Sequence, residues 1–197
     1  MNIKSCPMGV YQTNCYIVTL NNQDIIIDPG VDATKWIKQN VINPIAIFNT
    51  HGHFDHVWSN QELKEYFNIP IYCPKDDAFM LENDPFSQGT PSSKADILVE
   101  PNQQFILADT KIIFHHFPGH TPGCSAIQIE NNLFSGDFIF AGSIGRIDFP
   151  YSNPQQMKQS LNKILQWKDD YIIYTGHGSS TTLYNEIPSL KAWLNYI

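Results

Sequence analysis

The most informative stretch of this chain reads Thr50-His51-Gly52-His53-Phe54-Asp55-His56, with three imidazoles and one carboxylate inside six positions. It closely follows Ile45-Ala46-Ile47-Phe48, an apolar run that predicts a buried strand. In α/β proteins, ligand sites usually form where strands end and loops begin. Imidazole and carboxylate together suit zinc or another first-row divalent cation. The stretch therefore predicts a metal site at a strand end, and a polar surface loop rich in histidine is the alternative interpretation.

Three further candidate ligands occupy comparable places in the chain. His120 lies in the turn-forming sequence Pro118-Gly119-His120-Thr121-Pro122-Gly123. Asp137 follows Leu133-Phe134-Ser135-Gly136, and His177 comes soon after Tyr171-Ile172-Ile173-Tyr174. Each of the three stands after a predicted strand and beside a glycine, which lets backbone segments approach closely. This repetition predicts that the three residues and the histidine-rich stretch form one constellation.

The ordered set resembles the metallo-β-lactamase superfamily, and the resemblance extends from about Gly9 to His177. The matching elements are His-x-His-x-Asp-His at positions 51–56, Gly-His at 119–120, Gly-Asp at 136–137, Gly-His at 176–177 and an early Asp-Pro-Gly at 28–30. Within the superfamily, residues 140–150 look most like the small glyoxalase II-like hydrolases. The fold that this resemblance implies is α/β, a four-layer αβ/βα sandwich forming a single domain over residues 1–197.

The resemblance also implies a set of ligands for two divalent metal ions. One ion would be held by His51, His53 and His120, the other by Asp55, His56 and His177, and Asp137 would bridge both together with a water or hydroxide. Zinc is the expected metal, with iron or manganese as alternatives. Asp55 is also the predicted catalytic residue, which would orient the attacking hydroxide and accept its proton. Asp28 would either orient a liganding imidazole or only close a turn after its strand.

The function implied is metal-dependent hydrolysis of a small-molecule thioester such as hydroxyacylglutathione, with a metal-bridging hydroxide as the nucleophile. A thiolate departs without a strong general acid because its thiol has a pKa of roughly 8.5. An amide or β-lactam nitrogen would need a proton donor that the sequence does not identify. Full-length glyoxalase II enzymes hold glutathione with basic residues of a C-terminal helical extension. Past His177 we expect one helix whose only positive charge is Lys191, so glutathione is not expected to be held in that way.

Other functions fit some of the same residues. The related persulfide dioxygenases bind a single iron through two histidines and one aspartate, which would be His51, His120 and Asp137 here, so such an oxygenase is the main alternative. A hydrolase of another acyl substrate is a further one. A secreted β-lactamase is disfavoured because Asp137 stands where those enzymes generally carry cysteine. A binding module without catalysis is disfavoured because every expected ligand is intact.

The composition fits a globular chain with one domain as the default. The formal net charge is −7, and the few basic residues are scattered, which argues against nucleic acid as a partner. No apolar run has the length of a signal peptide or a membrane span, so we expect a cytoplasmic protein without membrane contact. The four cysteines (Cys6, Cys15, Cys73 and Cys124) have no Cys-x-x-Cys spacing and are expected to be reduced. Nothing in the sequence indicates the oligomeric state.

Hydrophobic periodicity predicts seven strands and four helices. The strands are predicted at residues 15–20, 24–28, 45–49, 111–116, 125–130, 133–135 and 171–174. The helices are predicted at residues 34–39, 57–67, 154–166 and 188–196. Asn153 is predicted to cap the third helix, with Pro154 at its first position. Residues 83–94 are predicted to form a long loop, and long loops in compact domains often act as lids.

Three residues near the motifs are predicted to be structural. Arg146 could contact an anionic substrate, but pairing with Asp148 or a ligand carboxylate is the favoured interpretation. His115 and His116 continue the strand predicted at residues 111–116 and match no ligand position of the family. We therefore expect them to be ordinary structural histidines.

Overall fold

A computed structural model describes all residues, 1–197, and contains two six-stranded sheets. In the first sheet the strands follow one another in sequence order. They are β1 (Asn2–Met8), β2 (Thr13–Leu20), β3 (Gln23–Ile27), β4 (Pro44–Phe48), β5 (Ile71–Pro74) and β6 (Ile97–Val99). The pairs from β3 to β6 are parallel. Because parallel strands share one carboxyl edge, the residues that follow β3, β4 and β5 meet there.

The second sheet has the strand order β14-β13-β10-β9-β8-β7. Its strands are β7 (Gln104–Leu107), β8 (Thr110–His116), β9 (Ser125–Ile129), β10 (Asn132–Gly136), β13 (Ile172–Thr175) and β14 (Thr181–Thr182). The pair β10–β13 is parallel, and the other pairs are antiparallel. A small hairpin of β11 (Ile139–Phe140) and β12 (Ser143–Ile144) follows β10.

Helices cover the outer faces of both sheets. They are α1 (Ala33–Asn40), α2 (Phe54–Val57), α3 (Asn60–Phe67), α4 (Ala78–Asn83), α5 (Pro154–Ile164) and α6 (Leu183–Tyr196). The first four pack on the first sheet and the last two on the second sheet. The order of layers is therefore helix, sheet, sheet, helix, which confirms the predicted four-layer αβ/βα sandwich. None of the six helices is long and apolar enough to cross a bilayer.

Alternation along the strands builds this layering. In β3, Ile25 and Ile27 enter the core between the two sheets, whereas Ile26 enters the core under the helices. In β4, Phe48 points to the central core and Ile47 to the outer one. Successive side chains of a strand point to opposite faces, so a continuous apolar run suits a strand that is covered on both sides. The four cysteines are free, and three of them are buried in these cores.

The predicted strands overlap observed strands to within two residues at each end. Seven further strands were not predicted: β1, β5, β6, β7, β11, β12 and β14. The strands β11, β12 and β14 have two residues each, which is too short for periodicity to be visible. The edge strand β1 is only partly covered and mixes polar and apolar residues without regular alternation.

Two predicted helix boundaries are wrong. The helix predicted at residues 57–67 is two helices, α2 and α3, separated at Trp58 and Ser59. The Ser59 amide donates to Pro29 O at 2.9 Å and its hydroxyl to Gly30 O at 2.7 Å, so these groups bind the β3–α1 turn instead of the preceding helical turn. The helix predicted at residues 188–196 begins at Leu183, since the Thr182 hydroxyl caps it by accepting from the Asn185 amide.

The other helix predictions hold. The helix predicted at residues 34–39 is α1, and the one at residues 154–166 is α5. Asn153 caps α5 by accepting a hydrogen bond from the Gln156 amide at 3.1 Å. Residues 84–96 contain no helix or strand, as predicted for most of that segment.

Candidate metal centre

The structure brings the seven predicted ligands together at one shared edge of the two sheets. They come from the segment after β4, from α2, from the β8–β9 connection, and from the residues directly after β10 and β13. Two backbone hydrogen bonds join the sheets beside them: Asn14 N donates to Gly176 O at 2.7 Å, and Ser125 N donates to Thr50 O at 2.9 Å. The seven side chains are thus held in place by both sheets. Their role as metal ligands remains a prediction.

The two predicted triads are both formed. His51, His53 and His120 present one ligand atom each, and these atoms lie within 4.8 Å of one another. The same holds for Asp55, His56 and His177. In the second triad, His177 Nε2 lies 3.3 Å from Asp55 Oδ2 and 3.4 Å from His56 Nε2. Each triad is compact enough for its members to share one cation.

Asp137 lies between the two triads. Its Oδ1 is 3.2 Å from His56 Nε2, and its Oδ2 is 3.4 Å from His120 Nε2 and 3.5 Å from His177 Nε2. The carboxylate therefore contacts one member of the first triad and two members of the second. This is the position that a carboxylate bridging two cations requires.

The imidazoles are oriented by hydrogen bonds at Nδ1. His120 Nδ1 lies 2.8 Å from Arg146 O, and His177 Nδ1 lies 3.0 Å from Tyr11 O. His56 Nδ1 lies 3.0 Å from Asp28 Oδ2, and His51 Nδ1 lies 3.0 Å from the Thr50 hydroxyl. A ring that donates from Nδ1 keeps the lone pair of Nε2 free. All four rings therefore direct Nε2 toward the centre, where its lone pair is available whenever the ring is neutral.

Four of the buried atoms that face the centre have charged or polar neighbours but make no hydrogen bond within the protein. They are His51 Nε2, His53 Nε2, His120 Nε2 and Asp137 Oδ1. Buried polar atoms without partners are costly, and native proteins leave few of them. A divalent cation would satisfy them, and imidazole and carboxylate are the ligands it prefers. The residues present therefore fit a metal centre.

In the metal-free protein, the histidine pKa values are lowered in the first triad and raised in the second. Burial lowers the pKa of His51 and His120 and brings that of His53 to about 3. Burial also opposes charge on His56 and His177, but the neighbouring carboxylates of Asp137 and Asp55 raise the pKa of His56 well above its usual range and that of His177 to about 9. The first triad is therefore neutral, whereas protons on the second triad balance its carboxylates. A cation that binds the second triad must displace those protons.

Asp28 supports both triads. Its Oδ2 accepts hydrogen bonds from His56 Nδ1 and from the Thr50 hydroxyl, at 2.6 Å for the latter, and its Oδ1 accepts from the Thr50 amide at 2.8 Å. Through Thr50 it also fixes His51. Asp28 also lies close to His51 and His56. Because hydrogen bonds already occupy both of its oxygens, Asp28 orients these two imidazoles and does not form a third metal-binding triad with them. Of the two interpretations of Asp28, the geometry favours the one in which it orients imidazoles.

Asp28→Asn is expected to lower metal affinity by about 10- to 100-fold, which is typical for loss of a group that orients a liganding imidazole. Asparagine keeps the shape of the side chain, but one of its two oxygens is replaced by an NH2 group, which cannot accept a hydrogen bond. At least one of the bonds from His56 and Thr50 would therefore be lost. Titration of the metal-free variant with zinc, in competition with a chelator, measures the change. Wild-type affinity in the variant would mean that Asp28 only closes the turn.

Asp77 is a buried carboxylate that the sequence analysis missed. Its Oδ2 accepts from the Gly52 amide at 3.0 Å and the Thr121 hydroxyl at 2.6 Å, and its Oδ1 accepts from the Gly123 amide at 2.6 Å. Burial raises its pKa to about 6, against the effect of these hydrogen bonds. Gly52 separates His51 from His53, and Thr121 follows His120. Asp77 thus joins the two loops that supply the first triad, a long-range contact for which the sequence contains no periodic signal.

Gly176 is needed for the close approach of Asp137. A Cβ at Gly176 would overlap the Asp137 Oδ1 atom and lie 2.8 Å from the Gly136 carbonyl carbon. Glycine is the residue that allows such an approach between backbone and side chain. The glycine before His177 therefore brings the ends of β10 and β13 into contact, which places Asp137 beside His177.

The ligands open into a chamber of about 490 Å³, a volume usual for small-molecule sites. The lining residues that are not predicted ligands are Tyr11, Phe54, Phe86, Gln88, Phe140, Arg146 and Phe149. His115 and His116 lie outside it, bonded to Gln128 Oε1 and Pro122 O respectively. Phe86 and Gln88 belong to the long loop predicted at residues 83–94.

Arg146 is paired with Asp148, as its favoured interpretation predicted. Arg146 Nε and Nη2 donate to the two Asp148 carboxylate oxygens at 2.9 and 2.8 Å. The guanidinium also lies over the Phe149 ring, 4.1 Å from its centroid. Its edge and its face are therefore both engaged within the protein.

Arg146→Ala is expected to leave the apparent affinity for substrate within about twofold, because an exposed ion pair contributes little and its loss frees no strong substrate contact. A modest fall in melting temperature is expected, since the Asp148 pair and the Phe149 contact are lost. Steady-state kinetics together with a thermal melt test this. A rise in KM of tenfold or more without loss of stability would show that Arg146 binds substrate.

Comparisons with known proteins are consistent with this geometry. A family model described as the metallo-beta-lactamase superfamily matches residues 8–177. The hydroxyacylglutathione hydrolase GloC of Haemophilus influenzae is 35% identical over 94% of this chain and 95% of the relative. The crystal structure of the BLEG-1 B3 metallo-beta-lactamase matches with a TM-score of 0.85 and 32% identity, over 95% of this chain and 97% of that one. The crystal structure of TTHA1623 in a di-iron-bound form matches with a TM-score of 0.83 and 30% identity, over 94% and 98%.

Proposed function

This chain belongs to the metallo-beta-lactamase superfamily, and we propose that within it the protein is a dinuclear metal-dependent hydrolase of thioesters such as hydroxyacylglutathione. The observation that carries the proposal is the pair of complete triads with Asp137 between them. A single-metal enzyme would have no need of the second triad. The similarity to GloC, a hydroxyacylglutathione hydrolase, supports the thioester.

The proposed ligands are those of the two triads. His51, His53 and His120 would hold one ion, Asp55, His56 and His177 the other, and Asp137 both. When bound, two divalent ions supply hydroxide at neutral pH and a Lewis acid for a carbonyl oxygen. Zinc is the ion we propose, because it suits imidazole and carboxylate. The di-iron form of TTHA1623 makes iron the leading alternative.

Asp55 is the proposed catalytic residue beside its role as ligand. Its Oδ2 accepts a hydrogen bond from the Thr13 hydroxyl at 2.6 Å, which fixes the carboxylate at the chamber floor. Burial would raise its pKa, but His56 and His177 lower it to about 2, so the group is ionised. An ionised carboxylate in this position can orient the nucleophile and accept its proton.

The chamber favours a leaving group that departs unaided. Apart from the proposed ligands, its lining contains no carboxylic acid and no imidazole that could protonate a departing atom. A thiolate needs no such help, because a thiol with a pKa of roughly 8.5 is far more acidic than an amine. An amide nitrogen would need it. This contrast supports a thioester over an amide.

Hydrolysis of β-lactams is the second candidate function, and the similarity to BLEG-1 is the observation that favours it. The lack of a carboxylic acid or imidazole in the chamber, other than the proposed ligands, to protonate a departing nitrogen argues against it. Persulfide oxidation at a single iron is the other alternative, for which the first triad and Asp137 already contain enough ligands.

Metal content and metal dependence test the proposal. Protein purified without added metal is expected to contain about two ions per chain by elemental mass spectrometry. Chelation should abolish release of thiol from S-lactoylglutathione and from acetyl thioesters, and two equivalents of zinc should restore it. One iron per chain with oxygen consumption on a persulfide would establish the dioxygenase. Turnover of a chromogenic cephalosporin with no thioester turnover would establish the second candidate.

A further inference from the structure

The chamber wall is largely aromatic. Its five rings come from three separate connections of the chain (Tyr11, Phe86 and Phe149), from α2 (Phe54) and from β11 (Phe140). Two of them are notably exposed for side chains of this kind, Tyr11 by 48% and Phe149 by 37%. Exposed aromatic surface that faces a pocket is available to cover an apolar ligand.

The rings are held in place before any ligand arrives. The Asp84 carboxylate accepts hydrogen bonds from the Gln88 amide, the Gly89 amide and the Thr90 hydroxyl, which fixes the loop that carries Phe86. The Phe86 ring packs edge-on against the His53 ring, with centroids 4.9 Å apart. A wall that is already ordered loses little conformational entropy on binding.

Other rings are fixed by different contacts. The Phe149 ring lies under the Arg146 guanidinium, and its centroid lies 5.9 Å from that of His53. Tyr11 packs against Phe54 with centroids 5.0 Å apart, and its carbonyl accepts from His177 Nδ1. The apolar wall thus borders both triads directly, within reach of any group attached to the reacting carbon.

The chamber offers no free positive side chain. Arg146 is the only lysine or arginine in its lining, and it is already paired: its Nε–Nη2 edge binds the Asp148 carboxylate, and one face lies over the Phe149 ring. A thiol moiety with carboxylates, such as glutathione, would therefore find no unpaired cationic side chain on the wall. The net charge of −7 also works against anionic substrates at a distance.

We infer, on the basis of the proposed function, that the preferred substrates are thioesters with an apolar acyl group and an uncharged thiol portion. Each buried methylene strengthens binding about fourfold, so kcat/KM should rise with the length of the acyl group that the wall covers. This narrows the substrate class of the site from thioesters in general to apolar, neutral ones.

The test compares two series of substrates on the two-metal protein. One series has N-acetylcysteamine as the neutral thiol and acetyl, butyryl, hexanoyl or benzoyl as the acyl group; the other has the same acyl groups on glutathione. We expect kcat/KM to rise about fourfold per methylene from acetyl to butyryl. For a given acyl group, we expect kcat/KM for the neutral thioester to exceed kcat/KM for the glutathione thioester by about tenfold or more. This factor corresponds to one or two glutathione carboxylates that find no cationic partner on the wall.

Variants locate the preference in the chamber. Phe86→Ala and Phe149→Ala are expected to reduce the gain in kcat/KM per methylene to less than about twofold, through KM rather than kcat. The matched control is Tyr66→Ala, an aromatic residue that is 63% exposed on α3 and outside the chamber, which should keep the wild-type series.

The outcomes separate the inference from the proposed function. Equal kcat/KM across acyl lengths, or a tenfold preference for the glutathione series, would overturn the inference while hydrolysis of thioesters stands. A wild-type series that survives in both phenylalanine variants would overturn the assignment to the aromatic wall. No turnover of any thioester by protein with two bound zinc ions would end the proposed function, and the inference with it.

Discussion

Asp137→Asn is expected to loosen both metal ions and to reduce thioester hydrolysis by on the order of 100- to 1,000-fold. Asp137 is the one residue within 3.5 Å of members of both triads, and it is buried. The side-chain amide of the variant lacks the negative charge of Asp137. Its NH2 group would also face an imidazole Nε2 whose lone pair is needed for the metal. Removal of one partner from a buried charged pair costs about 3–5 kcal/mol, which is the source of the expected factor. Competition titration with zinc measures affinity, and thiol release measures rate.

Asp109→Asn is the matched control for that change. Asp109 lies in the β7–β8 turn, is exposed, and has a positive φ of 53° that asparagine adopts readily. The control should retain two ions per chain and full rate. If Asp137→Asn also retains both ions with wild-type affinity, the bridging role of Asp137 is wrong and the two triads act independently.

Asp77→Ala is expected to lower the melting temperature by roughly 10 °C and to weaken binding at the first triad selectively. The change leaves the Gly52 amide, the Gly123 amide and the Thr121 hydroxyl without an acceptor in a buried place. Each unsatisfied buried group costs about 1–3 kcal/mol, and each kcal/mol shifts the midpoint of a chain of this size by about 2–4 °C. The loops with His51, His53 and His120 would lose their common anchor, so affinity there should fall about 10- to 100-fold.

Zinc titration of Asp77→Ala should therefore show one tightly held ion and one weak ion per chain, whereas the wild type holds two. Asp77→Asn keeps one acceptor oxygen and should restore part of the stability and part of the affinity. Asp76→Asn changes an exposed neighbour and serves as the control. A variant that melts early but binds both ions as tightly as the wild type would show that Asp77 stabilises the fold without positioning ligands.

Periodicity and motif spacing predicted most of the strands that pack on both sides, although the four-residue strand β5, which is also covered on both faces, was not predicted. Strands such as β3 and β4 contain continuous apolar runs because both of their faces are covered, and such runs are visible in the sequence. The edge strand β1 is only partly covered, and its sequence carries no such run, whereas β6 is apolar throughout but has only three residues. The break between α2 and α3 was missed for another reason. It depends on hydrogen bonds from Ser59 to a turn some thirty residues away, which no local pattern contains.

The same distinction applies to the candidate site. The ligand set could be predicted because its members stand in short motifs at strand ends, although their binding of metal stays a prediction. Asp77 and the aromatic wall could not be predicted in this way. Asp77 lies 44 positions from Thr121, and the wall residues share no spacing with one another. Their roles follow from the tertiary structure, which brings separate loops to one place.

The division of the site between strand ends and loops has a consequence for how the protein can change over evolution. The proposed metal ligands are anchored to both sheets, whereas Phe86 and Phe149 lie on surface loops and Phe140 on the short β11–β12 hairpin, and none of the three rings belongs to a hydrophobic core. Loops accept insertions and substitutions more readily than the elements they connect. New substrate ranges could therefore arise, or be engineered, by exchange of these three side chains alone. Hydrolytic chemistry would be inherited unchanged through such an exchange.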